Sequence, residues 1–406
     1  MNVFMGIDWS QEKHDVAFMN AAGAIIARLT VPHQPDGFRK LEATRQQLGV
    51  AVEECLVGLE TDHNLLVDYL WERGYSQVYV IPPSVVNSSR GRYGNSGAKD
   101  DSKDAQLLAD LLRTDRARLQ PWRPDSQLTR QIRAKVGFVN HLTHATNRLA
   151  NRLRAVLMRY YPAALELFSG LLVPTTLAFI GRYNTPQALA ALSYEQFTAF
   201  ARQQGYTKRQ GLLDCYACLQ QPQLQASPET VAAYQDEAQL LAGQLRELIR
   251  AKRQVVKELA GLFEQHPDQA IFASLPGAGD FLAPALLAKF GDDRERFPTA
   301  ASVQALAGTC PVTDASGKSK RVVFRRACDR EFRQIAQQWA RCSLRQSVFA
   351  VAYWQQVRPR CAGEHDAYRR LANRWLAVLW KLWQSGEPYD EAYHLRQRRL
   401  RSHPRA

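Results

Sequence analysis

Five short apolar runs within residues 3–81, two of them stopping on an acidic residue, constrain this chain more than any other feature. Val3 to Ile7 ends at Asp8, Asp15 to Met19 resumes, and Ala24 to Val31 follows the Ala22-Gly23 turn. Runs of this length between turn residues read as strands joined tightly. Cys55 to Leu59 closes on Glu60, and Gln77 to Ile81 is stopped by Pro82-Pro83. Between them, Phe38 to Leu48 and Leu65 to Trp71 carry helical spacing, the second ended by Gly74. The expected order is β-β-β-α-β-α-β. A polar segment with Gly91, Gly94 and Gly97 then reads as a loop, and a helix starts within Lys99 to Ala105.

Asp101 and Asp104 fall in the first turn of that helix and share a face, where negative charge is favoured. Asp100 is the neighbour most easily confused with Asp101. Capping by one aspartate with a solvated second is the plain alternative. For Asp8 the plain alternative is a turn residue, and for Glu60 a helix start capped by Asp62 or Asn64. Read together, acids at two strand ends beside an acidic helix start can converge at a sheet edge. Four crowded carboxylates repel unless cations sit among them, and hard oxygen donors suit Mg²⁺ or Mn²⁺. Two such ions are what phosphodiester chemistry uses. No G-x-x-x-x-G-K-[ST] run is present, so no nucleotide cofactor is expected.

Fifty-three Lys and Arg against 39 Asp and Glu give a formal net charge of +14, which favours a polyanionic partner, most simply nucleic acid. No basic and apolar leader is seen in Met1 to Asn20, and the apolar stretch near Leu171 to Ile180 is short and broken by Pro174. Neither fits a membrane span, so a cytoplasmic protein is expected. Seven cysteines without disulfide-type spacing fit a reducing compartment. Cys215 and Cys218 lie among apolar residues and read as core rather than as half a zinc site.

A break at Pro121-Trp122-Arg123-Pro124 marks a boundary. Ser126 to Tyr160 is a long helix with one basic face, on which Arg130, Arg133, Arg148 and Arg152 are candidate phosphate contacts. His141 and His144 read as surface or nucleic-acid contacts. Pro228 to Glu264 is a second long helix with heptad-like patches, fit for a helical hairpin or a coiled coil. Ser274 to Gly279 is a Pro-Gly-x-Gly turn that either binds phosphate through backbone N–H groups or simply joins two helices. Lys318, Lys320, Arg321, Arg325 and Arg326 open a dense basic block. Just before them, Ser316-Gly317 reads as a flexible loop presenting a hydroxyl among cations, or as an ordinary turn. In the tail, Tyr368, Trp375, Trp380 and Trp383 read as buried more readily than as base-stacking, and the last arginines as a disordered tether. The expected domains are 1–122, 123–265 (helical, coiled-coil), 266–357 (with Ser316) and 358–406 (helical, basic).

The stretches GIDWSQEKHDVA, GLET and AKDDSKDAQLLADLL resemble the RuvC-like, ribonuclease H fold domain of DEDD transposases of the insertion sequence 110 family. SLPGAG, ALLAKFGD, FPTAASVQALAGTCPVTDASGK and RRACDREFRQIAQQWA resemble that family's C-terminal transposase domain. The resemblance implies an α/β RuvC-like domain, a long helical region and a mostly helical C-terminal domain. It carries the family's four acids onto Asp8, Glu60, Asp101 and Asp104, and its catalytic serine onto Ser316, with Ser319 the other register. It further implies a site-specific DNA recombinase that cuts and rejoins strands through a phosphoserine bond with Mg²⁺ or Mn²⁺. A structured guide (bridge) RNA and assembly as a dimer or tetramer are also implied. Two readings of other classes stand beside it: a hydrolytic metal-dependent nuclease or junction resolvase, and a noncatalytic nucleic-acid scaffold.

Overall fold

The computed structural model describes residues 2–61, 65–93, 101–119, 121–206, 209–221, 226–316 and 319–402. The chain forms two compact units, Met1–Pro124 and Asp125–Ala406.

The first unit is built on one sheet. Its elements are β1 (Val3–Trp9), β2 (Lys13–Met19), β3 (Ile25–Pro32), α1 (Pro35–Gln47), β4 (Cys55–Leu59), α2 (Leu65–Glu72), β5 (Val78–Val80), α3 (Pro83–Ser89) and α4 (Asp101–Asp115). The strand order is β3-β2-β1-β4-β5. β1, β2 and β3 are antiparallel neighbours, whereas β4 lies parallel to β1 and β5 parallel to β4. Strand alternation divides the side chains. Val3, Met5 and Ile7, with Cys55, Val57 and Leu59, join Leu41 of α1 and Leu66 and Leu70 of α2 in one core. Phe4 and Leu56 face the opposite way, into a core with Leu107, Leu108 and Leu111 of α4.

Two glycines let α4 lie directly on the sheet. A Cβ on Gly6 would overlap the Ala105 carbonyl oxygen, and one on Gly58 would lie 3.1 Å from the Leu108 carbonyl oxygen. Glycine inside a strand often marks such a backbone approach. Arg113, near the far end of α4, lies beside Gly23 in the β2–β3 turn, next to the start of β1. The helix therefore runs antiparallel to β1, with its first turn at the strand's carboxyl end.

The second unit holds α5 (Gln127–Tyr160), α6 (Pro174–Arg182), α7 (Pro186–Ala190), α8 (Tyr194–Gln203), α9 (Arg209–Leu219), α10 (Pro228–Glu264), α11 (Gln269–Ala273), α12 (Gly279–Phe290) and α13 (Ala300–Leu306). A hairpin of β6 (Val312–Ser316) and β7 (Ser319–Val323) follows, then α14 (Arg330–Ser343), α15 (Val348–Val357), α16 (Glu364–Ser385) and α17 (Glu391–Ser402). The two long helices pack antiparallel, since Lys135 meets Glu258 at 2.5 Å while Arg152 meets Glu237 at 2.6 Å. α6 to α9 close a core over one end of this pair, against Leu153, Leu157 and Leu241. At the other end, Ile132 and Phe263 enter a larger core with α12, α14 and α16.

Some local expectations change here and others stand. β1 extends through Trp9, so Asp8 is the next-to-last residue of the strand, near its end as expected, and the turn alternative falls. Ser316 ends a strand rather than sitting in a flexible loop. The residues after Asp390 form α17 rather than a disordered tail, as far as Ser402. Trp375 and Trp383 are fully buried, and the Trp380 indole donates to the Phe297 carbonyl at 2.8 Å. Cys215 lies in the core formed with α6 to α9.

Candidate functional site

The last registered pair between the parallel strands β1 and β4 is Ile7 with Leu59, so Asp8 and Glu60 follow one another across the sheet at neighbouring strand ends. Alternation puts Asp8 on the face of Phe4 and Gly6, and Glu60 on that of Leu56 and Gly58, the face covered by α4. Trp9 supports the assignment, because its ring packs on the opposite core. The first turn of α4 lies at this same edge. Asp101 opens the helix, and Asp104 precedes the Ala105 that rests on Gly6. The side chains of Asp8, Glu60 and Asp104 are all half-buried.

Asp104 is engaged by Arg90, whose guanidinium donates to its carboxylate at 2.8 Å. Asp15 lies opposite Asp8 in the β1–β2 register and accepts a hydrogen bond from the Thr30 hydroxyl, with Lys13 at 3.9 Å. The edge thus gathers hard oxygen donors of the type Mg²⁺ or Mn²⁺ prefers, next to cationic side chains. Among the described residues, no three carboxylate, thiol or imidazole groups close on one point. The candidate caps Asp62 and Asn64, and Asp100, lie outside the described residues.

In the second unit, Ser316 pairs with Ser319 where the β6–β7 hairpin turns, and it is exposed. A two-stranded ribbon fixes the serine's backbone while leaving its hydroxyl open to a large substrate. Arg321 is exposed in β7 across from Asp314, and Arg326 is exposed beyond it. Lys320 lies in β7, and Lys318 lies outside the described residues. Arg325 is half-buried, and its carbonyl accepts from Arg333, which also contacts Cys328 Sγ and lies 4.4 Å over the Phe324 ring.

The arginines of α5 divide by what they touch. Arg130 and Arg148 are exposed, while Arg152 grips Glu237 through two bonds of 2.6 and 2.9 Å. Arg133 pairs with Asp125 and donates to the Ala288 carbonyl at 3.1 Å, so it ties α5 to α12. The Pro-Gly-x-Gly turn acts as a joint. Gly277 has φ +75°, its N–H donates to Gln346 at 2.6 Å, and the Trp339 indole donates to the Pro276 carbonyl at 3.0 Å.

A cluster that the sequence did not announce surrounds Asp125, a side chain only 1% exposed. It accepts from Arg133, from Arg296 at 3.1 Å and from the Asp292 N–H at 2.8 Å. Asp292 in turn accepts from the Ser126 N–H at 2.6 Å and the Thr129 hydroxyl at 2.7 Å, and meets His266 Nε2 at 3.1 Å. Burial alone would raise the Asp292 carboxyl, but the bonds from His266, Thr129 and Ser126 hold it well below the usual carboxylate range. Every group here is occupied by another, as a structural fastening requires. Arg90, Gly6 and Gly58 were also missed as parts of the acidic edge. The glycines carried a readable signal, since each interrupts an apolar strand run.

Comparison with known proteins joins the two units. A family model described as "Transposase", for the DEDD transposases of IS110, matches residues 5–162. A second, described as "Transposase IS116/IS110/IS902 family", matches residues 269–355. The chain is 31% identical over 401 residues to the "Mini-circle putative transposase for IS117" of Streptomyces coelicolor, covering 96% of each chain. It is 24% identical over 395 residues to the 43.6 kDa protein of insertion element IS110 from the same organism, again covering 96% of each.

Proposed function

The chain belongs to the IS116/IS110/IS902 family of transposases, and from that premise we propose that it is a site-specific DNA recombinase working through a covalent bond between Ser316 and a DNA strand. The observation that carries this reading is the meeting of Asp8, Glu60 and the first turn of α4 on one face and one edge of the sheet. The five-stranded order with one parallel and one antiparallel neighbour of β1 supports a ribonuclease H-like fold for the first unit. In the second unit, the part up to residue 265 serves as a helical arm and 266–357 as the serine-bearing part, with α16 and α17 folded onto it.

In the proposed step, Ser316 Oγ attacks a DNA phosphorus, loses its proton to a neighbouring base or water, and forms a phosphoserine ester as a deoxyribose oxygen leaves. The reverse attack by a strand end restores the serine and a phosphodiester. One ester replaces another, so the bond energy is kept and no ATP is consumed. Asp8, Glu60, Asp101 and Asp104 would hold Mg²⁺ or Mn²⁺, which when bound supplies charge stabilisation at the phosphate and at the attacking and leaving oxygens. Arg321 and Arg326 offset phosphate charge beside the hairpin. Carrying over the family's known habits, a guide RNA chooses the target, and protomers of a dimer or tetramer combine the acids of one chain with the serine of another.

The test is to incubate the protein with its element-end DNA and RNA, denature it, and measure DNA that stays attached. Attachment is expected for the wild type and lost in Ser316→Ala and in Asp101→Asn. Free nicked ends from Ser316→Ala would instead identify a hydrolytic nuclease.

A further inference from the structure

Two clefts flank Tyr353 on the second unit. The first, of about 490 Å³, is lined by Val322 of β7 and Phe324 just past it, by Tyr353, and by Arg370 and Asn373 of α16. The second, of about 950 Å³, lies between α16 and α17 and is lined by Tyr353, Arg374, Lys381, Tyr389 and Arg398. Both therefore open along one face of α16, where Arg370, Arg374 and Lys381 recur at helical spacing. Arg370 to Lys381 spans about 16 Å of helix axis. That length matches about five phosphates of a stacked strand, fewer of an unstacked one.

Flat rings and cations alternate along this face. Phe324 is 45% exposed and is held by Arg333 at 4.4 Å and Arg369 at 4.8 Å. Arg374 lies 5.8 Å from the Tyr353 ring, and Arg398 lies 4.8 Å from Phe349. Asp366 partly occupies Arg369 and Arg370. Arg374, Lys381 and Arg398 form no ion pair among the described residues. Acidic side chains on the cleft rim are Glu387 and Asp390, both beyond the end of α16. The tryptophans of α16 do not take part, since they point into the core.

We propose that this face of α16 is a binding track for an unpaired nucleic-acid strand. Its phosphates follow Arg370, Arg374, Lys381 and Arg398, and bases enter the two clefts to stack beside Phe324 and on Tyr353. An unpaired strand fits the site because a duplex keeps its base faces covered, whereas ring-and-cation surfaces bind exposed base faces with little regard to sequence. The net charge of +14 draws the same class of partner. The inference rests on the nucleic-acid part of the proposed function and is independent of the serine chemistry.

The test uses the full chain in chelator, so that no metal-dependent cutting occurs, and measures fluorescence anisotropy with oligo-dT, oligo-U and a blunt duplex of equal length. Tyr353→Ala with Arg374→Ala is expected to weaken single-strand binding roughly tenfold, with duplex binding nearly unchanged. Tyr353→Phe keeps the stacking face and should retain affinity. The exposed pair Arg374→Ala and Lys381→Ala, neither of which is in the core, should lower the salt slope by about 1.4. Loss confined to oligo-U identifies the strand as RNA, loss confined to oligo-dT as DNA, and loss on both as either, all in support. Unchanged single-strand affinity and salt slope in the arginine–lysine variant, or an equal loss on duplex, overturns the track. Since DNA attachment at Ser316 is read separately, that result would leave the recombinase reading standing.

Discussion

Asp104 at the start of α4 and Asp125 ahead of α5 are both held by arginine, but their surroundings differ. Asp125 is 1% exposed and sits between Arg133 and Arg296 while accepting a backbone N–H from the Gly291–Asp292 turn. Asp104 is 14% exposed, and its partner Arg90 is itself 45% exposed. A buried carboxylate with its lone pairs occupied has nothing left to offer a substrate, and losing one partner leaves a stranded charge. A half-buried carboxylate with one solvent-facing arginine can exchange that arginine for a metal ion at small cost. The neighbours differ in kind as well. Asp125 adjoins residues that fasten α5 to α12, whereas Asp104 adjoins strand ends carrying further acids.

Substitutions can break this contrast in order of effect. Asp8→Asn or Glu60→Gln should reduce DNA strand cleavage by roughly a thousandfold while the thermal midpoint stays near the wild type. Asp125→Ala should do the opposite. It strands Arg133 and Arg296 and costs about 3–5 kcal/mol, read as a lower denaturant midpoint of the second unit. Gly6→Ala pushes α4 off β1 and should cost about 2 kcal/mol, with cleavage falling alongside stability because the helix carries Asp101 and Asp104. The acid limb sharpens the contrast further. Asp292 is held below the ordinary carboxylate value, so its stabilisation is present above about pH 4 and fades as pH falls through the folded value. Asp292→Asn should therefore flatten the loss of melting temperature between pH 5 and 2. Smallest is Arg90→Ala, expected to change stability by less than about 1 kcal/mol while tightening Mg²⁺ binding.

Legibility in the sequence followed the range of the interactions. The first unit's strands and the helices α1, α2 and α4 were readable because each is a local apolar run bounded by turn residues, and Asp8 and Glu60 stood out by ending two of them; α3 was not, because Pro82-Pro83 reads as a stop although proline at a helix's first turn is compatible with it. The antiparallel partnership of α5 and α10 was less so, since heptad-like spacing does not say which face meets which partner. The β6–β7 hairpin escaped because the side chains of Val312 to Ser316 and of Arg321 to Val323 are largely exposed, and the sequence there shows no alternation of apolar and polar residues. Asp125 and Asp292 escaped for another reason. They meet across 167 positions, and nothing local to either announces the other. Arg133 shows the limit of reading a basic face from periodicity, because one of its arginines is used to neutralise a buried acid. The four-acid set came from family resemblance, and register and glycine contacts then supplied a physical reason for three of those residues to share an edge.

The most direct test is a Mn²⁺ titration of the full chain followed by electron paramagnetic resonance. Binding is expected to weaken at least roughly tenfold in Asp8→Asn and Asp104→Asn and to stay unchanged in Asp292→Asn. Equal Mn²⁺ affinity in the wild type and both edge variants would contradict this expectation.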